Sequence, residues 1–591
     1  MGETGKGHQV HKEELQGNVG KQSAKLLKGA AVLGAAAVVS KLLGTLQKIP
    51  LQNVAGDTAF GIYNAVYPLY ILILFAATAG FPVAVSKFVA ERAIHGDHLG
   101  ARRIVHISTA LLLSTGLVLF VFLYLGAGEI AQFIGISQTE RAIRSVSFAL
   151  LLSPMLAVLR GYFQGYQNMV PTALSQVIEQ LIRVITMIAL LLYMVALAYD
   201  EEWIAAGATF GSVTGAAAGL LVMYVYWRKA MKQGRREQRD GWIDFKDETK
   251  YEEKNETKHE TKNETKNVSE ELSSWQWAKR ITAYAIPVCL GAIVVPLLTI
   301  VDTFTMPRLL EATQGSEGEA MRQFGLYNRG LPLVQLVVMI ASSMSAVLVP
   351  ALAEAKARGQ VELIRFRAEM AVRLSWIIGL GASFGLAFAA VPINVMLYKS
   401  NEASWTMAVL AFTALFSTLN AVSASVLQGA GAIRTPAKAL LVAIVLKALG
   451  NLVFMPRWGI DGAALSAVIA YAAAAGLNLV QLRRCTGARF ALRPYAVSPA
   501  LGVGLMGVCL AALQLLAMPA LAAWHVPERL SASAIALVCV VGGGAVYAIA
   551  LLRSGSISRE ELRLMPELDR KLAPVLAKLW PAKVSAGPDE R

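Results

Sequence analysis

The stretch FGIYNAVYPL fills residues 60–69, and FGLYNRGLPL fills residues 324–333. Phe60, Gly61, Tyr63, Asn64, Pro68 and Leu69 return as Phe324, Gly325, Tyr327, Asn328, Pro332 and Leu333, at the constant offset 324 − 60 = 264. Two unrelated apolar segments do not share a Tyr-Asn pair and a proline in register by chance. Gln164-Gly165 recurs as Gln428-Gly429 at the same offset, and Arg183 falls on Lys447. The chain is therefore an internal duplication.

Composition says what is duplicated. The 591 residues are 55% hydrophobic and 16% charged, where a soluble domain carries about 25% charged residues. The apolar residues come in blocks of about 20, the length of helix that crosses a bilayer's hydrocarbon core. The fold class expected is an all-α polytopic membrane protein with fourteen transmembrane helices. Six spans form an N-lobe (29–227), six form a C-lobe (281–482), and two more follow (483–552). An even number of spans per repeat returns the chain to the same side. The halves are then parallel repeats about an axis along the membrane normal, and two such lobes around a cleft predict alternating access. Alternate loops are basic, with Arg92, Arg102, Arg103, Lys356, Arg358, Arg434, Arg483 and Arg484 among their residues, whereas AYDEEW (198–203) and GSEGEAM (315–321) carry no Lys or Arg. Positive loops stay cytoplasmic, so both termini are expected there.

The flanking segments follow from their charge. Residues 1–28 read as a basic cytoplasmic N-terminus without a removable signal peptide, the first span serving as anchor. Residues 228–280, which include KNETKHETKNETKN, bury too little apolar surface to fold and are expected to be a disordered cytoplasmic linker. Residues 553–591 read as a basic cytoplasmic tail with an amphipathic surface helix. Cys289, Cys485, Cys509 and Cys539 show no paired spacing and are expected to be apolar fillers. No phosphate-binding loop, metal-ligand cluster or nucleophile motif is visible. The chain is expected not to be an enzyme, to need no cofactor or metal, and to bind no nucleic acid.

Charges inside the spans point to function, because such groups are costly and face a cavity or a partner. They include Lys41, Lys48, Glu179, Arg183, Asp302, Arg329 and Lys447. Glu179 and Arg183 lie one helical turn apart and can pair. Cations outnumber carboxylates, which suits an anionic substrate, since phosphate pairs strongly with Arg and Lys. A cation exporter would rather use the carboxylates. Pro68 and Pro332 each remove a backbone hydrogen bond early in a span and are hinge candidates.

The stretches SKLLGTLQKIPL (40–51), FGIYNAVYPLYILILFAATAGFPVAVSKFVAER (60–92) and RGYFQGYQNMVPTALSQVIEQLIRV (160–184) resemble the SpoVB/MurJ-like branch of the multidrug/oligosaccharidyl-lipid/polysaccharide (MOP) flippase superfamily. The resemblance spans the chain from about residue 25 to the tail. It implies a V-shaped, two-lobe, fourteen-helix fold. It also implies movement of an undecaprenyl-pyrophosphate-linked glycan, such as the peptidoglycan precursor lipid II, across the cell membrane of a Gram-positive bacterium. The branch has sporulation and vegetative members. Its relatives hold the pyrophosphate with a basic cluster. Its Ser-Arg-x-x-Gly element matches Ser40-Lys41-Leu42-Leu43-Gly44, with Lys for Arg. A second family arginine falls at Gln47 or Lys48, and Arg329 matches an arginine at the start of the eighth span. An arginine of the second span in lipid II flippases has no counterpart near Val66. Lysine offers a point charge without arginine's bidentate fork. The last two helices resemble those that form a lipid-tail groove.

The leading expectation is a monomeric lipid-linked glycan flippase. Lys41, Lys48, Arg183, Arg329 and Lys447 would hold pyrophosphate, with Gln47, Glu179 and Asp302 supporting or coupling. The polyprenyl-pyrophosphate glycan and membrane lipids are its partners, and a membrane potential or a gradient of H+, Na+ or Cl− drives it. One alternative is a MATE-like drug or cation antiporter with Glu179 and Asp302 as ion sites. The other is a non-transport scaffold in cell-wall or spore-cortex assembly.

Overall fold

The computed structural model describes residues 29, 31–248, 273–432, 434–490, 497–523 and 525–554. The N-terminal segment 1–28, the KNET run and the tail helix expected after residue 553 lie outside the described residues. Among the described residues the structure is helical and has no strand. Among the described residues, ten helices are long and apolar enough to cross a membrane, or eleven if the bent pair Ser137–Ser147 and Ala149–Gly165 counts as one span. The chain is a multi-pass helical membrane protein, as its apolar blocks require.

The helices in chain order are α1 (31–46), α2 (Lys48–Thr78), α3 (Phe81–Ile94), α4 (His98–Leu125), α5 (Ala127–Ile134), α6 (Glu140–Ser147), α7 (Ala149–Gly165), α8 (Val170–Ala196) and α9 (Glu201–Glu248). They continue as α10 (Ser274–Gln314), α11 (Glu317–Asn328), α12 (Leu331–Ala357), α13 (Val361–Phe388), α14 (Ala390–Tyr398), α15 (Ser404–Gly429), α16 (Arg434–Thr486), α17 (Ser498–Ala523) and α18 (Glu528–Arg553). Local chemistry sets several boundaries. Asp97 caps α4 by accepting from Gly100 N, and Ser316 caps α11 by accepting from Glu319 N. Inside α2 and α16 the backbone leaves the helical region at Gly56 (φ 79°, ψ 178°) and Gly459 (φ 53°, ψ −131°). Only glycine takes such angles without a Cβ penalty. Helix α9 runs on to Glu248, which corrects the expectation of disorder from residue 228. Its Arg, Lys, Glu and Gln are good helix formers, and a helix already nucleated in the membrane extends at one bond per residue. Likewise Ser274–Arg280 already belongs to α10.

The described helices gather into two compact units. One holds residues up to 44, 69–130 and 140–293; the other holds 45–68, 131–139 and everything from 294. The units follow the two halves of the repeat only in part, because α1–α2 and α10 each contribute to both, and α2 is divided after Pro68.

In the first unit, Phe81, Val85, Phe88, Ile104, Leu112, Leu159, Tyr162, Trp277 and Ile281 form a core between α3, α4, α7 and the start of α10. Glycines let backbones approach there. On α9, Gly207, Gly211, Gly215 and Gly219 recur every four residues. A Cβ on Gly211 would stand 2.7 Å from the carbonyl oxygen of Arg183, and one on Gly215 2.7 Å from that of Glu179. This small-residue stripe is how transmembrane helices gain contact without a hydrophobic driving force between them.

In the second unit, α12, α13, α15 and α16 share one core, and α17 and α18 pack on α13 and α14 in another, with Tyr547 donating to Ile377 O at 3.0 Å. Residues 57–68 of α2 lie against α11, so the two copies of the repeat touch. A Cβ on Gly61 would collide with Met321 O, and one on Gly325 with Asp57 O. Since 57 + 264 = 321 and 61 + 264 = 325, these contacts exchange under the repeat, and a local twofold axis runs between the segments. Asn64 donates to Phe60 O and Asn328 to Phe324 O, both at 2.7 Å. The two prolines differ in setting. Pro68 lies inside α2, whereas Pro332 sits in the first turn of α12, after the helix has broken at Arg329 and Gly330. A first-turn proline removes no bond the helix would have made.

Candidate functional site

Within the first unit, Glu179 and Arg183 stand one turn apart on α8 and do pair, Arg183 Nη2 donating to Glu179 Oε1 at 2.7 Å. A second guanidinium joins them. Arg160 of α7 donates Nη2 to Glu179 Oε2 at 2.8 Å and Nε to Ser175 Oγ at 3.0 Å. Arg183 Nη1 also donates to Gln180 Oε1 at 3.2 Å. One carboxylate thus holds two arginines, each through one oxygen. Arg160 escaped the sequence reading because it stands near the end of its expected span, where a cation is unremarkable.

Helix α1 lies beside this cluster. Ser40 Oγ donates to Gln176 O at 3.3 Å, and a Cβ on Gly44 would stand 3.1 Å from Gln180 Nε2. Ser40 and Gly44 therefore face Gln176 and Gln180, one turn apart on α8. Lys41 follows Ser40, is exposed, and makes no hydrogen bond or ion pair among the described residues.

The remaining expected residues lie in the second unit. Gln47 is buried and donates Nε2 to Tyr63 Oη at 3.4 Å; Lys48 is half-buried and donates Nζ to Asn64 Oδ1 at 3.0 Å. Both partners belong to the repeated motif. Arg329 is buried and grips Asp57 with both prongs, Nε to Oδ1 at 2.9 Å and Nη2 to Oδ2 at 2.5 Å. Gln52 Nε2 donates to the same Oδ1 at 3.0 Å, and Tyr398 Oη donates to Arg329 O. Asp57 gave no signal in the sequence, because 272 residues separate it from Arg329.

Lys447 of α16 is bound to Asp302 of α10, Nζ to Oδ2 at 2.5 Å, with side chains 5% and 4% exposed. Tyr327 Oη donates to Asp302 Oδ2 at 3.1 Å, and Asn451, one turn after Lys447, donates Nδ2 to Asp302 Oδ1 at 3.2 Å. The equivalent cations of the two repeats thus both meet a carboxylate. Arg183 finds it on its own helix, while Lys447 finds it 145 residues away. Arg329 and Lys447 are spent on internal ion pairs here, and breaking either pair would leave a buried charge at about 3–5 kcal/mol. All four cysteines are free; Cys289 and Cys539 are buried, whereas Cys485 and Cys509 are exposed.

Residues 26–356 match the family of polysaccharide biosynthesis proteins. The uncharacterized membrane protein YabM of Bacillus subtilis (strain 168) is 32% identical over 554 residues, covering 93% of this chain and 97% of that protein. The lipid II flippase MurJ of the same organism is 27% identical over 571 residues, covering 93% and 99%. Among solved structures, a lipid II flippase MurJ in an inward closed conformation superposes with a TM-score of 0.62 at 12% identity, covering 88% of this chain and 98% of that one. That likeness shows the fold. With more than half its length matched by the family and a relative above 30% identical along nearly the whole chain, this protein belongs to the polysaccharide biosynthesis protein family.

Proposed function

We propose that this chain is a flippase that carries a polyprenyl-pyrophosphate-linked glycan, of the lipid II type, across the cell membrane of a Gram-positive bacterium by alternating access. The relative named as a lipid II flippase, alike along almost its whole length, supports the substrate class. Both termini are taken as cytoplasmic, and the working unit as a monomer.

The observation that favours this over a cation antiporter is the fate of the carboxylates. Glu179 already carries two guanidinium groups. Asp302 carries an ammonium, a tyrosine hydroxyl and an amide. An exporter of cations would need them open to proton and drug. The cations assigned to pyrophosphate are Lys41, Lys48 and Arg183, while Arg329 and Lys447 brace the helices to which Asp57 and Asp302 tie them. A membrane potential or ion gradient would bias the cycle, since unit charge across 100 mV is worth about 2.3 kcal/mol.

The test uses purified protein in liposomes that contain fluorescent undecaprenyl-pyrophosphate sugar, with a membrane-impermeant quencher. Rapid label exchange that slows in Lys41→Ala and Arg183→Ala is the expected result. No exchange under any imposed potential or ion gradient would refute the proposal. Normal exchange in both well-folded variants would refute the cation assignment.

A further inference from the structure

The offset of 264 also relates two short helices. Helix α5 ends at Ile134 and α14 at Tyr398, and the next helices start at Glu140 and Ser404, each pair 264 apart. The chain turns back at Gly135 (φ 93°) and at Lys399 (φ 59°), again 264 apart. Each repeat thus carries a strap, made of a short helix and the turn that follows it.

Each strap is held by the other repeat. Ser137 N and Oγ both donate to Glu317 Oε2, at 3.0 and 2.7 Å. Asn53 Nδ2 donates to Leu397 O at 2.5 Å. Glu317 and Asn53 are equivalent positions, since 53 + 264 = 317. Each stands about one helical turn before a crossing residue. Those residues are Met321 and Asp57, whose carbonyl oxygens face Gly61 and Gly325. The two clasps therefore bracket the crossing of α2 with α11 under the same local twofold. The first repeat supplies α2 and the first strap, and the second supplies α11 and the second strap. Parting the crossing pulls on both clasps.

The straps differ in how they are seated. In the second, Ile393, Asn394, Val395 and Tyr398 are buried. Asn394 Nδ2 donates to Glu402 O and Ser404 Oγ at 2.8 and 2.9 Å, and Tyr398 Oη donates to Arg329 O. All of these partners lie in its own repeat. The first strap buries Ile134 and Ile136, but its polar contacts are exposed and reach across. Besides the Ser137–Glu317 clasp, Arg308 Nη2 donates to Gln132 O at 3.2 Å, and its guanidinium stands 5.1 Å from the centre of the exposed Phe133 ring. Residues 131–139 belong to the second unit, whereas the chain on either side belongs to the first. Exposed hydrogen bonds mark segments that open at low cost, and exposed charged contacts add little to hold them.

From the reciprocal clasps and their unequal burial, we infer that residues 131–139 are a releasable latch on the crossing of α2 with α11. Glu317 is its catch, and α14 is the fixed counterpart. The latch lets go before the two repeats part on the side that loop charge assigns to the outside. This deepens the flippase reading and rests on it for what the latch admits.

Cross-linking of the full-length protein in liposomes tests the latch. In a background of Cys289→Ala, Cys485→Ser, Cys509→Ser and Cys539→Ala, a short reducible bis-methanethiosulfonate bridges the pair Ser137→Cys/Glu317→Cys. The bridge should slow exchange of the labelled lipid about tenfold, and dithiothreitol should restore it. A second readout needs no transport. Ala65 is buried one turn after Gly61 on α2. A membrane-impermeant maleimide should label Ala65→Cys about threefold faster once Glu317→Ala removes the catch, with labelling carried out well below the melting temperature. Glu317→Gln keeps an acceptor and should fall between. Equal labelling with and without Glu317→Ala would overturn the latch, and labelling decides where the bridge does not form. Lipid exchange by the unbridged protein that the bridge leaves unaltered removes the latch and leaves the flippase reading. Faster labelling in Glu317→Ala, with no lipid exchange by the wild type, keeps the latch and removes the flippase reading.

Discussion

Neutralising the Asp302–Lys447 pair in two steps separates bracing from substrate binding. Lys447→Met leaves the Asp302 carboxylate buried with only Tyr327 and Asn451 as donors. Asp302→Asn leaves the Lys447 ammonium with the Leu298 carbonyl at 3.3 Å. Each single change abandons a buried charge and should cost about 3–5 kcal/mol. Folds of 150–250 residues lose about 2–4 °C per kcal/mol, and the second unit is somewhat larger, so a drop of about 5–15 °C is expected. The double variant Asp302→Asn/Lys447→Met buries no charge, and replacing a whole buried pair is often near neutral. It should melt within about 4 °C of the wild type. A thiol-reactive dye reports unfolding through the buried Cys539 of this unit, after the exposed Cys485 and Cys509 are changed to Ser and the buried Cys289 of the first unit to Ala. The double variant should also flip lipid at a rate close to wild type. A double variant no more stable than the singles would refute the bracing argument. Stability restored with flipping abolished would show that Lys447 meets the substrate.

Other outcomes follow from the same contacts. Gly61→Ala and Gly325→Ala each push a methyl into a carbonyl oxygen of the facing segment; overpacking costs about 1–3 kcal/mol, and the two should lower the melting temperature by similar amounts. A silent member of the pair would contradict the twofold crossing. Arg329→Lys keeps the charge but loses the fork on Asp57, and should lower stability by about 1.5–3 kcal/mol, measured by the same melt. Pro332→Ala should change stability by less than about 1 kcal/mol, because the proline occupies a first turn. Pro68→Ala restores a backbone donor inside α2; flipping slowed by Pro68→Ala and not by Pro332→Ala would assign the hinge to Pro68.

Apolar blocks, loop charge and the repeat carried the membrane class, the duplication and the local Glu179–Arg183 pair, because each depends on residues close in sequence. Hydrophobic length decides whether a helix crosses lipid wherever it packs. Register between Phe60 and Phe324 shows in the letters alone, and so does one turn of spacing on α8. Partners from distant elements were hidden. Asp57, Arg160 and the seat of Lys447 depend on which helix faces which, and that is settled by glycine stripes and core packing. Only the tertiary structure showed that Arg329 and Lys447 are neutralised where they stand, and that Arg183 shares Glu179 with Arg160 of another helix. The physical reason is that charge inside a membrane takes its meaning from its nearest neighbours, and those neighbours lie 272 and 145 residues away in the chain.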